Sequence, residues 1–160
     1  MTGVKRSDRE KLKSEIGNYL VEKTLQDVGS QRSPVTGREF KSLTKKYKDK
    51  KKKVASPVPN LELKGDMLDA FKYKKTSSGI EIGIFNTKQA QKADNHNKFS
   101  AKSLKTPLPA RKFIPKKGRD TYRPEIRKEI ASIVDEFKSS ENSLGKVAAA
   151  ILNASKGKSN

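Results

Sequence analysis

Residues 71–85 read FKYKKTSSGIEIGIF and constrain the fold more than any other stretch. Ile80, Ile82 and Ile84 alternate with Glu81, Gly83 and Phe85, the period of a half-buried strand. Phe71 and Tyr73 alternate with lysines in the same way, and TSSG at 76–79 has turn chemistry. The pattern predicts a β-hairpin, 71–75 with 80–85, whose core side carries Phe71, Tyr73, Ile80, Ile82 and Ile84. Gly83 marks a bulge or a close backbone approach. GDMLDAF (65–71), just upstream, reads as a short helical turn with Asp66 as its cap.

A lone hairpin is marginal in water, so its apolar side needs a cover. Two stretches have the period for it. In residues 7–28, Leu12, Ile16, Tyr19, Leu20 and Lys23 share a helical face that Val21, Leu25 and Val28 widen. Ser7 and Glu10 have capping-box spacing, and Gly29 is the expected stop. In residues 121–138, Ile126, Ile130, Ile133, Val134 and Phe137 recur at helical spacing, with Pro124 in the first turn. Apolar stripes against a sheet give the α+β class. A third amphipathic segment follows at 143–154, through Leu144, Val147, Ala148, Ile151 and Leu152. The organisation expected is one domain over 1–138 and a C-terminal amphipathic helix with its tail over 139–160.

Between the first helix and the hairpin, GSQRSPVTGREF is rich in turn residues. A basic arm spans 38–59. Seven lysines stand at Lys45, Lys46, Lys48, Lys50, Lys51, Lys52 and Lys53, opposed only by Asp49. Such a block predicts a disordered or extended arm facing DNA or an acidic partner. After a short helix at 87–94, Lys98 to Arg119 holds eight basic residues and no acidic one. Within it, KTPLPARKFIPKKG (105–118) cannot be helical, because its prolines lack the N–H and clash with the preceding turn. Phe113 and Ile114 can anchor this segment on the core as an edge strand or clamp, with Pro109 and Arg111 beside them. The small sheet is therefore expected to comprise the hairpin and this edge strand, packed against the two main helices.

The apolar supply is thin. Of 160 residues, 32% are hydrophobic and 6% aromatic, with no Trp. So small a core barely offsets chain entropy of roughly 1.5 kcal/mol per ordered residue, and assembly with further copies would relieve the deficit. The formal charge of +19 favours polyanions: nucleic acid first, an anionic membrane surface second, or an acidic protein neighbour. The N-terminal stretch has no apolar signal core, and no apolar run approaches the length of a membrane span, so a soluble chain is expected.

Catalytic signatures are missing. Without Cys there is no thiolate nucleophile, disulfide or thiolate metal site, and His96 is the only histidine. NHNKF offers it no orienting partner, so its expected role is a loop or helix-end histidine bonded to backbone. Asp94 with His96, and Asp66 with Asp69, fall short of the ligands that zinc needs. No glycine loop for phosphate occurs. The expectation is no enzymatic activity, no metal, no cofactor and no small-molecule substrate. In the basic tracts Tyr47 and Phe99 are the only candidates for stacking, too few for a reader of stacked single strands.

The order of these elements resembles the virion-morphogenesis, or tail-completion, family of tailed bacteriophages, over roughly residues 8–137. PNLELKGDMLDAFKY resembles that family's entry into its hairpin, and GIEIGIFN its following strand. KADNHNKF and LPARKFIP resemble its later segments, the second its clamp. SPVTGREFKSLTKKYKDKKKK is similar to its turn and basic linker. Ser100 stands where that family usually has glycine, and Lys92 precedes Ala93 where it often has tyrosine. The resemblance implies a non-catalytic virion protein. It implies a ring of copies, commonly six, at the neck or the head-proximal end of the tail, around the channel for genomic double-stranded DNA. Its neighbours would be tail-tube and neck proteins, with no membrane partner. Pro109, Arg111, Phe113 and Ile114 would then form the clamp at a subunit boundary. The competing expectation is a stand-alone, nonspecific duplex-binding protein.

Overall fold

The computed structural model describes residues 6–53, 58–59, 61, 66–97, 110–116 and 120–156, with 141–156 as backbone alone. Pro109, Phe99 and the 98–109 half of the second basic tract lie outside these residues. Among those described, five helices and two strands occur in the order α1 (Arg6–Gly29), α2 (Lys45–Lys52), α3 (Asp66–Asp69), β1 (Phe71–Lys75), β2 (Ile80–Ile84), α4 (Thr87–Asn97) and α5 (Pro124–Lys156). The class is α+β.

β1 and β2 pair antiparallel with Phe71 opposite Ile84, Tyr73 opposite Ile82 and Lys75 opposite Ile80. Directly opposed residues share a face, so this register puts Phe71, Tyr73, Ile80, Ile82 and Ile84 on one side of the ribbon. The ladder is regular through Gly83, and a Cβ there would meet nothing within 4 Å. Gly83 therefore marks neither a bulge nor a close approach. On the opposite side, Lys74 Nζ sits 4.0 Å from the centroid of the Phe85 ring.

α1 is the middle layer, which is why its apolar face is so wide. It packs against both strands on one side and against α5 on the other. Val21, Leu25 and Val28 join Phe40, Met67, Phe71, Ile84, Ala93 and Phe113 in the main core. Leu20, Thr24 and Asp27, at helical spacing, are buried outside that cluster. Asp27 binds Arg123 just ahead of α5, so this second stripe faces α5. Ile126, 1% exposed, anchors α5 from its side.

The helix ends differ from the expected caps. Ser7 lies inside α1 and its hydroxyl donates to Asp8 Oδ1, so no capping box forms with Glu10. Glu10 instead accepts from Lys13 Nζ at 3.0 Å and lies 3.7 Å from Lys75 Nζ at the hairpin tip. At the other end α1 runs through Gly29. Gln31 takes the left-handed conformation, φ 61°, while Arg32 N–H donates to Asp27 O and Gln31 N–H to Val28 O. Those two bonds form a Schellman closure, and they hold a non-glycine residue in the strained position.

Close approach is needed at Gly17. A Cβ built there would lie 2.5–2.7 Å from three ring atoms of Tyr73. Gly17→Ala would gain about 1 kcal/mol of helix propensity. Overpacking against the ring costs about 1–3 kcal/mol. Net destabilisation in urea unfolding is the expected result, and it should vanish when Tyr73 is also alanine. A Gly17→Ala protein more stable than its parent would show that the ring moves aside freely.

Two larger departures concern the basic segments. The lysine arm is a helix from Lys45 to Lys52 rather than a disordered or extended arm. Lysine is a good helix former, and Lys50, Lys51 and Lys52 sit where the helix dipole favours cations. The proline-bracketed segment is irregular over 110–116, with a bend at Ile114, and is no edge strand: among the described residues the sheet has two strands. The two C-terminal amphipathic stretches are one uninterrupted 33-residue helix.

Candidate interaction surface

Residues 110–116 lie across the core as a clamp, held by contacts from α4, β1 and the α1–α2 loop. Phe113 is 0% exposed, and its ring centroid lies 6.3 Å from that of Phe71, tilted by 51°. Asn97, the last residue of α4, takes the part of a strand. Its Oδ1 accepts from Phe113 N–H (2.8 Å) and Ile114 N–H (3.2 Å), and its Nδ2 donates to Ile114 O (3.0 Å). Arg111 N–H donates to His96 O at 2.7 Å. From the α1–α2 loop, the Ser33 hydroxyl donates to Lys112 O while accepting the N–H groups of Val35 and Thr36. Ser33 thus joins its own turn to the clamp. Gly37, at φ 71°, provides the left-handed residue that closes this turn, and its N–H donates to Ser33 O.

The Arg111 side chain is turned inward. The residue is 5% exposed, one terminal nitrogen donates to Lys41 O at 3.2 Å, and Nε has no partner. Burial lowers its pKa. Its protein ligand is a backbone carbonyl of its own chain. His96 lies close by with Nδ1 buried and unpartnered. Burial first, and the Arg111 charge second, push the imidazole down to about 4. The pair works as one cation and one neutral ring, since a second charge beside Arg111 would be both desolvated and repelled.

A pH dependence follows. In the unfolded chain His96 takes its proton near pH 6.5, whereas in the folded protein it does so only near 4. Between these values the unfolded state binds more protons. The stabilising contribution is therefore complete above about pH 6.5 and is lost as pH falls to about 4. Its size is up to about 3 kcal/mol. His96→Gln should flatten this part of the stability–pH curve in urea titrations, and parallel curves for the two proteins would contradict it.

The lysine-rich helix presents a different surface. Lys45, Lys46, Lys50, Lys52 and Lys53 are exposed and Lys48 is half-buried. Lys51 is not among the outward lysines: it is 2% exposed and its Nζ donates to Val58 O at 2.6 Å. The stem of Lys51 packs while its ammonium finds a carbonyl, which ties α2 to the chain that follows it. Tyr47, at 37% exposure, stands among these lysines.

An open groove separates β2 and α4 from the clamp, with Ile82, Ile84, Ala90, Lys112 and Ile114 along it. Among the described residues, no three His, Asp or Glu gather for a metal, and no helix is long and apolar enough to cross a membrane.

The sequence reading did not single out Asn97, Ser33 or the Asp27–Arg123 pair. Only the NHN run at the end of the fourth helix and the Ser33-Pro34 turn offered any signal. Arg123 forks onto Asp27, with Nε 3.2 Å from Oδ2 and a terminal nitrogen 3.0 Å from each carboxylate oxygen. Arg123 N–H also donates to Pro34 O. A model of the phage virion morphogenesis family matches residues 2–137, a span that takes in α1 to α4, the clamp and α5 as far as Phe137. No curated protein and no solved structure matches the chain.

Proposed function

The chain belongs to the phage virion morphogenesis family, and on that premise we propose that it is a non-catalytic structural protein of a tailed bacteriophage. Its place is the neck or the head-proximal end of the tail, where it completes or terminates the tail or joins it to the head. Copies form a ring, six as the working number, around the channel for double-stranded DNA, and the ring contacts tail-tube and neck proteins. The family match over 2–137 carries this reading. The thin apolar supply supports it, because subunit contacts would add burial that one copy cannot provide. In the ring, the exposed lysines of α2 face the duplex or an acidic neighbour. Ile114 presents the clamp at the subunit boundary, and Phe113 and Arg111 hold it from within. The decisive experiment is electron microscopy of lysates from phage lacking this protein. Detached full heads beside unjoined tails of normal or excessive length are expected. Intact, infectious particles would overturn the proposal.

A second reading, a nonspecific duplex binder acting alone, is favoured by the five exposed lysines of 45–53. It predicts micromolar duplex binding that falls steeply with salt, each lost phosphate contact lowering the slope by about 0.9. Changing Lys50, Lys52 and Lys53 together to glutamine should then reduce the slope by about 2–3. Negligible binding at moderate salt removes this reading.

A further inference from the structure

We propose that the distal half of α5 is a self-association segment, pairing one copy of this chain with a second through a continuous heptad seam. The inference does not rest on the ring reading. α5 is unbroken from Pro124 to Lys156, so one register applies throughout. Ile126, Ile130, Ile133 and Phe137 follow one another at steps of four and three. Ser140, Leu144, Val147, Ile151 and Ala154 continue the same steps without a slip. A sustained 3.5-residue repeat is the period of a supercoiled helix pair, and a single polar seam position is a common register device.

Within one chain, α1 covers only the first part of this seam. α1 has 24 residues and α5 has 33, about 36 Å against about 50 Å. The two begin level where Asp27, near the end of α1, binds Arg123, just ahead of α5. From there the two pack on each other, the end of α1 beside the start of α5, so they run antiparallel. α5 therefore runs past the start of α1 by about 14 Å, between two and three turns. Its seam is half-buried even at Ile130, Ile133 and Phe137. A helical end of this length is marginal in water without a packed face.

Charge identifies the occupant. The chain carries +19, so most faces of two copies repel each other. Residues 139–155 hold only Glu141 and Lys146, which cancel. Here two copies can meet with little repulsion, and the seam positions of one match those of the other in register. This region also lies past residue 137, where the family match ends, so the pairing is a property of this chain's extension.

Sedimentation equilibrium of the full chain tests it, with circular dichroism to follow helix content. Leu144→Lys with Ile151→Lys places two charges in the seam, and self-association should weaken on the order of 100-fold. Ala149→Lys, at an outward heptad position, should leave it unchanged. Equal association by all three proteins, or a wild-type chain that stays monomeric, overturns the pairing. Wild-type α5 bound only by a different virion protein overturns it too. Rings that form equally well with the double substitution remove the pairing and leave the neck reading intact.

Discussion

Replacing Phe113 with alanine is expected to cost about 3–5 kcal/mol of folding free energy, read as a lower urea midpoint. The side chain is wholly enclosed and its ring packs on Phe71. Truncation would leave a cavity lined by side chains of several elements, which cannot all collapse into it. Domains of this size have about 5–15 kcal/mol in total, so one substitution removes a large share. The loss should extend to the clamp. Without the ring, Asn97 and Ser33 must hold 110–116 by hydrogen bonds worth about 1 kcal/mol each. Ile114→Ala is the comparison. Ile114 is half-buried, so its cost should be clearly smaller. Faster proteolysis within the clamp of Phe113→Ala, at temperatures where it is still folded, would show local release. A Phe113→Ala protein with parental stability and protection would mean that hydrogen bonds alone secure the segment.

Breaking the Asp27–Arg123 pair should be comparably costly. Both side chains are largely buried, at 7% and 11% exposure, and the guanidinium meets the carboxylate through two nitrogens. Asp27→Ala leaves a desolvated guanidinium with only the exposed Glu125 carboxylate, 3.5 Å from a terminal nitrogen, and Arg123→Met leaves the buried carboxylate. Each should lose about 3–5 kcal/mol. Arg123→Met should fall toward the low end, because Lys23 Nζ lies 3.8 Å from Asp27 Oδ1 and can take up part of the charge. Asp27→Leu with Arg123→Met should recover much of the loss, since no charge remains buried. Urea unfolding of the four proteins gives the coupling directly. Simple additivity would mean that each side chain acts alone and that the pair does not join α1 to α5.

The two pairs of contacts were unequally visible beforehand. Phe113 stands out in the sequence as the one aromatic in a proline-bracketed basic segment, with nothing else there to bury except Ile114. Its partner Asn97 does not stand out. A polar residue at the end of a polar helix looks like surface, and its worth depends on backbone groups 16 positions away. Asp27 and Arg123 are 96 positions apart. In the sequence each is one charge among many, on a helix and before a proline. The lysine tract misleads for a related reason. Seven like charges argue for an extended arm, yet lysine's own helix preference and one buried anchor, Lys51, outweigh a repulsion that water largely screens.

Periodicity and chemistry are local properties, so the chain alone determined them: the hairpin and its apolar side, the two long helices, and the barrier that prolines raise to helix over 105–118. Which helix is sandwiched, which carbonyl receives Lys51 and Arg111, and which glycine must stay bare were decided only in three dimensions. The reason is physical. A stripe states that a face will be buried, whereas the partner of a buried polar group is whatever distant segment the packing brings within 3 Å.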